Sequence, residues 1–353
     1  MITIKQLDQG RNNNFDLLRF VAAAMVIFGH SYLATGHHNH EPLARQVGFI
    51  EFGALGVKIF FVISGYLITK SLYRQPTLGS FVWARALRIF PGLLVAAVLC
   101  AFIIGPLATT LSLQDYFADK RVYDFAWRLF TVHNLDNTLP GVFETIPYAK
   151  QVNGSLWTLA GELLLYAVVL LWGVVLLLWQ RQLRLLAHAT PVLLLVALFF
   201  AGIVYAPWYM AFVSSWGAVF LLGALAYLFG DKVIINIPLA IGLFVITAVL
   251  FHFRSPLLVT SFNISLAYGI FVVAYHPALQ LQAFHKLGDF SYGLYIYAFP
   301  IQQFMALKFS QWGVAANFGA SFLLTLALAA ASWYMVEKPM LKLKMAQSAK
   351  MPG

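Results

Sequence analysis

From Phe15 to Thr35 the chain reads FDLLRFVAAAMVIFGHSYLAT, and these 21 residues would reach about 31 Å as a helix, enough to cross a bilayer core. A span in lipid must satisfy its own backbone polar groups, so such a run admits a helix and little else. Yet it carries Asp16 and Arg19 near one end and His30 near the other. Arg19 and His30 are eleven positions apart, close to three helical turns, so they share a face at different depths. Ionisable groups inside a span are costly and face a polar interior rather than lipid. Asp16, three residues before Arg19, is spaced for an ion pair. The plain alternative is that Asp16 and Arg19 anchor the helix among headgroups while His30 sits at the opposite interface.

Apolar runs of this kind recur along the whole chain. Hydrophobic residues are 61% of the 353 and charged residues only 10%, where soluble domains carry about one quarter charged residues. A multi-pass membrane protein is expected, with lipids as its surroundings. The net charge of +10 then reflects Lys and Arg in loops facing anionic lipid, and a nucleic-acid partner is not expected. The single cysteine, Cys100, lies in an apolar run, which leaves no intrachain disulfide and speaks against an acyl-cysteine step. The first run is too long, and too interrupted by Arg19, for a cleavable signal peptide, so the chain is expected to keep its N-terminus.

Residues 1–14 are polar and read as a short cytoplasmic tail. After the first span, GHHNHEPLARQVGFIE is a loop holding His37, His38 and His40; no further ligands have suitable spacing, and no metal is expected. The second span runs roughly from Gly53 to Tyr73. A basic re-entry, RQPTLGSFVWARALRIFP, leads into a third at about Arg88 to Leu107. Residues 108–152 form the longest polar connection, with DYFADKRVYDFAWRLFTV as an interfacial amphipathic helix. The fourth span opens with NGSLWTLAGELLLY and runs to about Trp179. Others follow at about 190–206, 208–229, 235–252 and 257–275. The ninth begins at LGDFSYGLYIYAFPIQQF. The tenth runs from about Val314 to Val336, with Glu337 before Lys338–Pro339 marking the helix end.

The expected fold is therefore all-α and polytopic: about ten transmembrane helices and both termini cytoplasmic. Its single membrane domain covers 15–337, followed by a basic cytoplasmic tail at 338–353. Of the 23 Lys and Arg, Arg19 and Lys58 fall within spans, and the others divide 14 inside to 7 outside. Four of the seven are in the one long loop, where the rule is weaker, so the split supports this orientation.

Orientation fixes depth. His30 falls about five residues, roughly 8 Å, from the outer end of its helix, and Glu162 in the fourth span lies roughly 10 Å from the same face. A histidine and a glutamate at matched depth make an acid–base pair if their helices are neighbours, or a structural hydrogen bond holding two helices together. Tyr166 lies one turn from Glu162 on the same face. On the cytoplasmic side, Arg85 and Arg88 stand at the mouth of the third span, at the level of Arg19. Three guanidiniums there suit phosphate recognition, or serve as topology anchors. Ser64 and Gly65 read as a close helix contact rather than a nucleophile. Tyr292, Tyr295 and Tyr297 line an acceptor site or simply pack. Lys58 needs an acid partner or water.

The chain resembles the acyltransferase-3 family, bacterial multi-pass proteins that typically O-acylate cell-surface glycans. The similar stretches, in family order, are DLLRFVAAAMVIFGHS, GVKIFFVISGYLI, RALRIFP, NGSLWTLAGELLLY, SYGLYIYAFPI and WYMVEKP, and the spacing of Arg19 and His30 is the family's hallmark. The resemblance implies a bacterial inner-membrane enzyme moving an acyl group from cytoplasmic acyl-CoA, usually acetyl-CoA, to a hydroxyl of a surface or lipid-linked glycan. It makes His30 the catalytic base, Arg19 its partner in the motif and Glu162 a supporting group. Arg85 and Arg88, with Arg19, fall in the CoA-binding region; Tyr166, Trp157 and Tyr295 are candidates for acceptor contact. Many relatives have a histidine where this chain has Ala298, so a second-histidine role is not expected. The extracytoplasmic SGNH-type hydrolase domain fused to some relatives is not expected either. Intramembrane Arg, His, Glu and Lys also suit a proton-coupled exporter, although no paired halves are apparent.

Overall fold

The computed structural model describes residues 2–10, 12–75, 77–132, 137–178, 208–281 and 288–348. Among these the regular structure is helical, apart from isolated bridges at Thr3–Ile234 and Thr109–Val142. The long helices are α1 (Phe15–Ala34), α2 (Phe52–Arg74), α3 (Leu78–Ala108), α4 (Trp157–Leu178), α5 (Trp208–Leu228), α6 (Ile237–His252), α7 (Leu258–Tyr275), α8 (Ser291–Lys308) and α9 (Val314–Leu343). Six of them, α1, α2, α3, α4, α7 and α9, hold segments long and apolar enough to cross a bilayer. The protein is a multi-pass membrane protein. The run expected at 190–206 lies outside the described residues. Helix α8 is buried on most sides and carries Gln302 and Gln303, which explains why its sequence is less apolar than a lipid-facing span.

Three local expectations are corrected. Helix α3 starts at Leu78, ten residues before the expected Arg88, so Arg85, Arg88 and Pro91 lie within it and not in a re-entrant loop. Proline inside a helix removes a backbone donor. Here Tyr292 donates to Ile89 O (2.8 Å) and Tyr297 to Gly92 O (3.2 Å), so carbonyls on either side of Pro91 gain partners from α8. The last helix does not stop at Glu337. It widens into a π turn over Trp333–Glu337 and continues to Ser348, with Pro339 just after the change of register. Nor is the stretch from Asp115 to Val132 one helix. It is two, Leu113–Ala118 and Lys120–Thr131, divided at Asp119, whose carboxylate caps the second by accepting from Arg121 N at 2.9 Å. Hydrogen bonds from the Arg121 side chain and backbone hold that carboxyl below its usual range. Val122, Phe125 and Leu129 form the buried face of the second helix, opposite exposed Tyr123 and Trp127.

The residues fall into two compact units: Met1–Arg19, Val57–Leu78 and Gly161–Gly288 in the first, and Phe20–Gly56, Gly79–Ala160 and Asp289–Gly353 in the second. In the first, α2 meets α5 backbone to backbone. A Cβ on Gly65 would stand 1.8 Å from Phe220 O, and one on Gly223 would stand 2.0 Å from Val62 O. This is the close contact expected of Gly65. Thr247 on α6 bonds Ser261 (2.8 Å) and Ser265 (2.9 Å) on α7. Asn14 ties the start of α1 to the end of α7, its Nδ2 donating to Val273 O at 2.9 Å and Leu279 O at 2.7 Å.

In the second unit, α8 is the centre. A Cβ on Gly293 would meet Ala329 Cβ of α9 at 2.8 Å, and Asn153 from the long connection donates to Ile296 O at 2.9 Å. The same connection also holds α3, where Tyr116 donates to Ala101 O (2.8 Å) in the π turn Leu99–Ile104. Gly105 is required there, because a Cβ would fall 1.9 Å from the Tyr116 oxygen.

Candidate active site

His30 sits in the last third of α1, in the second unit. It is half-buried, with its ring edge-on to Phe299 of α8 at 5.1 Å. Its Nδ1 is buried and has no hydrogen-bond partner among the described residues. The next residue fixes the helix behind it: Gln302 Nε2 of α8 donates to Ser31 Oγ and to Ile27 O, both at 2.7 Å. Gln302 is itself braced by Asn317 of α9, which donates to its backbone carbonyl at 3.1 Å. An amide that buried is retained only where its hydrogen bonds are needed, and these fix where α1 presents His30.

Arg88, also in the second unit, lies between two carboxylates. Its guanidinium is 2.5 Å from Asp289 Oδ2 and 3.5 Å from Glu337 Oε2, with the rings of Tyr292 (5.5 Å) and Trp333 (5.8 Å) beside it. Glu337 is only 2% exposed and accepts from Ser332 Oγ at 3.0 Å. The motif glutamate read as a helix end is therefore a buried counter-ion. Arg85 is half-buried one turn before Arg88 on α3. Of the acceptor candidates, Tyr295 is half-buried and spends its hydroxyl on Ser155 O (2.6 Å) and Thr158, while Trp157, at the start of α4, is 38% exposed.

Arg19 and Glu162 belong to the first unit, and both are half-buried. The Glu162 carboxylate is held by two hydroxyls: Ser64 donates to Oε1 at 2.8 Å, and Tyr166 donates to the same oxygen. Ser64 and Tyr166 are themselves 3.2 Å apart. The expected grouping of Glu162 with Tyr166 is present, and Ser64 joins it from α2. Among the described residues Lys58 is held by a neutral amide and not by an acid. Its Nζ donates to the neutral Asn263 Oδ1 at 3.0 Å and lies 5.1 Å from the Trp216 ring centre. Asp289 and Gln302 were not singled out from sequence, and Ser64 was read there as a helix contact and not as a partner of Glu162. All three lie in motif stretches already quoted or directly beside them, and only that position could have flagged them. Among the described residues no group of three His, Cys, Asp or Glu could hold a metal.

Helices that span a membrane, polar side chains held between them and a half-buried histidine with a bare ring nitrogen define an integral membrane protein with internal acid–base groups. The chain belongs to the acyltransferase-3 family: the family model Acyl_transf_3, described as an acyltransferase domain, matches residues 12–336. It is similar to nodulation protein 10 of Rhizobium leguminosarum bv. viciae, 30% identical over 362 aligned residues that cover 95% of each chain. It is also similar to an O-acetyl transferase of Shigella phage Sf6, 28% identical over 93% of this chain and 96% of that one. No solved structure matches.

Proposed function

We propose that the protein is a membrane O-acyltransferase that moves an acyl group, in the simplest case acetyl, from cytoplasmic acyl-CoA to a hydroxyl of a surface or lipid-linked glycan. Family membership supports acyl transfer, and the relative named an O-acetyl transferase supports oxygen as the acceptor atom and acetyl as the group. The observation that carries the assignment of the base is His30, whose buried Nδ1 lacks a partner among the described residues on a helix end fixed by Gln302. A neutral imidazole accepts a hydrogen bond at one nitrogen and donates from the other, so the ring can take an acceptor hydroxyl as a partner.

The reaction then needs few groups. The acceptor hydroxyl bonds the imidazole, which takes its proton as the oxygen attacks the thioester carbonyl; collapse expels the CoA thiolate, and the imidazolium returns the proton to it. Arg19, Arg85 and Arg88 serve the anionic donor, with Asp289 and Glu337 fixing the Arg88 fork. Glu162, oriented by Ser64 and Tyr166, supports catalysis, and Tyr166, Trp157 and Tyr295 contact the acceptor. About ten spans place both termini in the cytoplasm of a bacterial inner membrane.

A thiol assay tests the reaction. Protein in nanodiscs should release free CoA from acetyl-CoA only when a surface-glycan extract is added, and the glycan should gain acetyl groups removable by mild alkali. No release with any glycan extract, with the protein folded, would refute the reading.

A further inference from the structure

The first unit holds a cavity of about 550 Å³ that the proposed chemistry does not use. That volume lies in the range of small-ligand sites. It forms where the N-terminal segment is stitched to the chain after α5: Ile4 N donates to Val233 O and Lys5 N to Gly230 O, each at 2.9 Å. Its walls include three tyrosines, with the Tyr227 ring 5.6 Å from that of Tyr66 and 5.7 Å from that of Tyr73.

Charge around the cavity is unbalanced. Asp8 lines it but is neutralised by Lys70 and accepts from the Tyr275 hydroxyl at 3.0 Å. The remaining charges are Lys5, Arg74 and Lys232 against Asp231, and all four are exposed. None of the three cations is in an ion pair among the described residues, and Lys232 rests only on the Phe229 ring at 5.7 Å. Basic residues at a membrane face account for positive charge as such. They do not account for three cations, unpaired among the described residues, around a tyrosine-walled hollow stitched by backbone hydrogen bonds.

We propose that this cavity binds a phosphate-bearing anion, held by Lys5, Arg74 and Lys232 and set against the tyrosine wall. Cations of this kind recognise phosphate oxygens, and ring faces accept either a flat base or the stems of the basic side chains that reach past them. Two sources offer that chemistry: the headgroup of an anionic phospholipid and the phosphates of a soluble adenine nucleotide. The inference does not depend on which residue is the catalytic base.

The test uses the full-length protein in nanodiscs of neutral lipid. Adenosine 3′,5′-bisphosphate is titrated by calorimetry, and phosphatidylglycerol retained from mixed lipid is counted by native mass spectrometry. Wild type should hold at least one probe, and a triple variant, Lys5→Gln with Arg74→Gln and Lys232→Gln, should hold it at least about tenfold more weakly. A control with Lys120→Gln and Lys150→Gln should bind as wild type does. Nucleotide binding indifferent to lipid assigns a soluble source, retained phosphatidylglycerol assigns the membrane, and competition between the two places both in the one cavity. Wild type holding neither probe, or a folded triple variant holding them undiminished, overturns the proposal.

Discussion

At the scale of single residues, the chemistry rests on side chains whose positions are set by others. Ser64 is the clearest case. Its hydroxyl donates to Glu162 at 2.8 Å, beside the donation from Tyr166. Hydrogen bonds to a charged group are worth about 1.5–3 kcal/mol, so Ser64→Ala should slow acyl transfer by roughly tenfold or more, while Ser64→Thr keeps most of the rate. Single-turnover transfer rates for both variants check this; equal rates would leave Ser64 a packing residue. The neighbouring glycine acts on stability instead. A methyl on Gly65 would collide with Phe220 O, and Gly65→Ala should lower stability by at least about 1–3 kcal/mol, read as thermal unfolding in detergent. VISGY alone discloses that a small residue is needed, because a glycine inside an apolar span has few other uses. It does not disclose the partner of Ser64, which arrives from α4 nearly a hundred positions later.

At the scale of elements, α3 joins widely separated parts of the second unit. Arg88 takes its counter-ions from Asp289, just before α8, and from Glu337, in the π turn after Ser332. Removing one partner of a mostly buried pair leaves charge uncompensated. Asp289→Asn and Glu337→Gln should each cost about 1–3 kcal/mol, and both effects should shrink when Arg88 is already Met. Additive losses would mean the three do not act as one cluster. This is also where the sequence misled most about boundaries. Arg85, Arg88 and Pro91 look like punctuation before a span, yet they lie inside a helix. Around Pro91 the carbonyls of Ile89 and Gly92 accept tyrosine hydroxyls from α8, two hundred residues away. Tertiary hydrogen bonds override local signals, and no window of sequence contains them. By contrast α1, α2 and α4 were legible from apolar run length, since lipid leaves a long apolar segment no other option.

At the scale of the whole molecule, the orientation proposed from the 14-to-7 division of basic residues can be tested directly. Cys100 is fully buried, so a Cys100→Ala chain is a clean background for introduced thiols. With intact cells, an impermeant maleimide should label Glu144→Cys in the long connection, and should reach Asp231→Cys only after the membrane is permeabilised. The reverse pattern would invert the topology and place the base on the donor's side.

The central claim is that His30 removes the acceptor's proton. The direct measurement is transfer of radiolabel from acetyl-CoA to a surface-glycan extract by protein in nanodiscs, with wild type set against His30→Ala and His30→Gln. Both variants should insert and unfold thermally as wild type does, yet lose label transfer by at least about a hundredfold, the lower end of what a general base contributes. Transfer at the wild-type rate by a well-folded His30→Ala protein would contradict the claim.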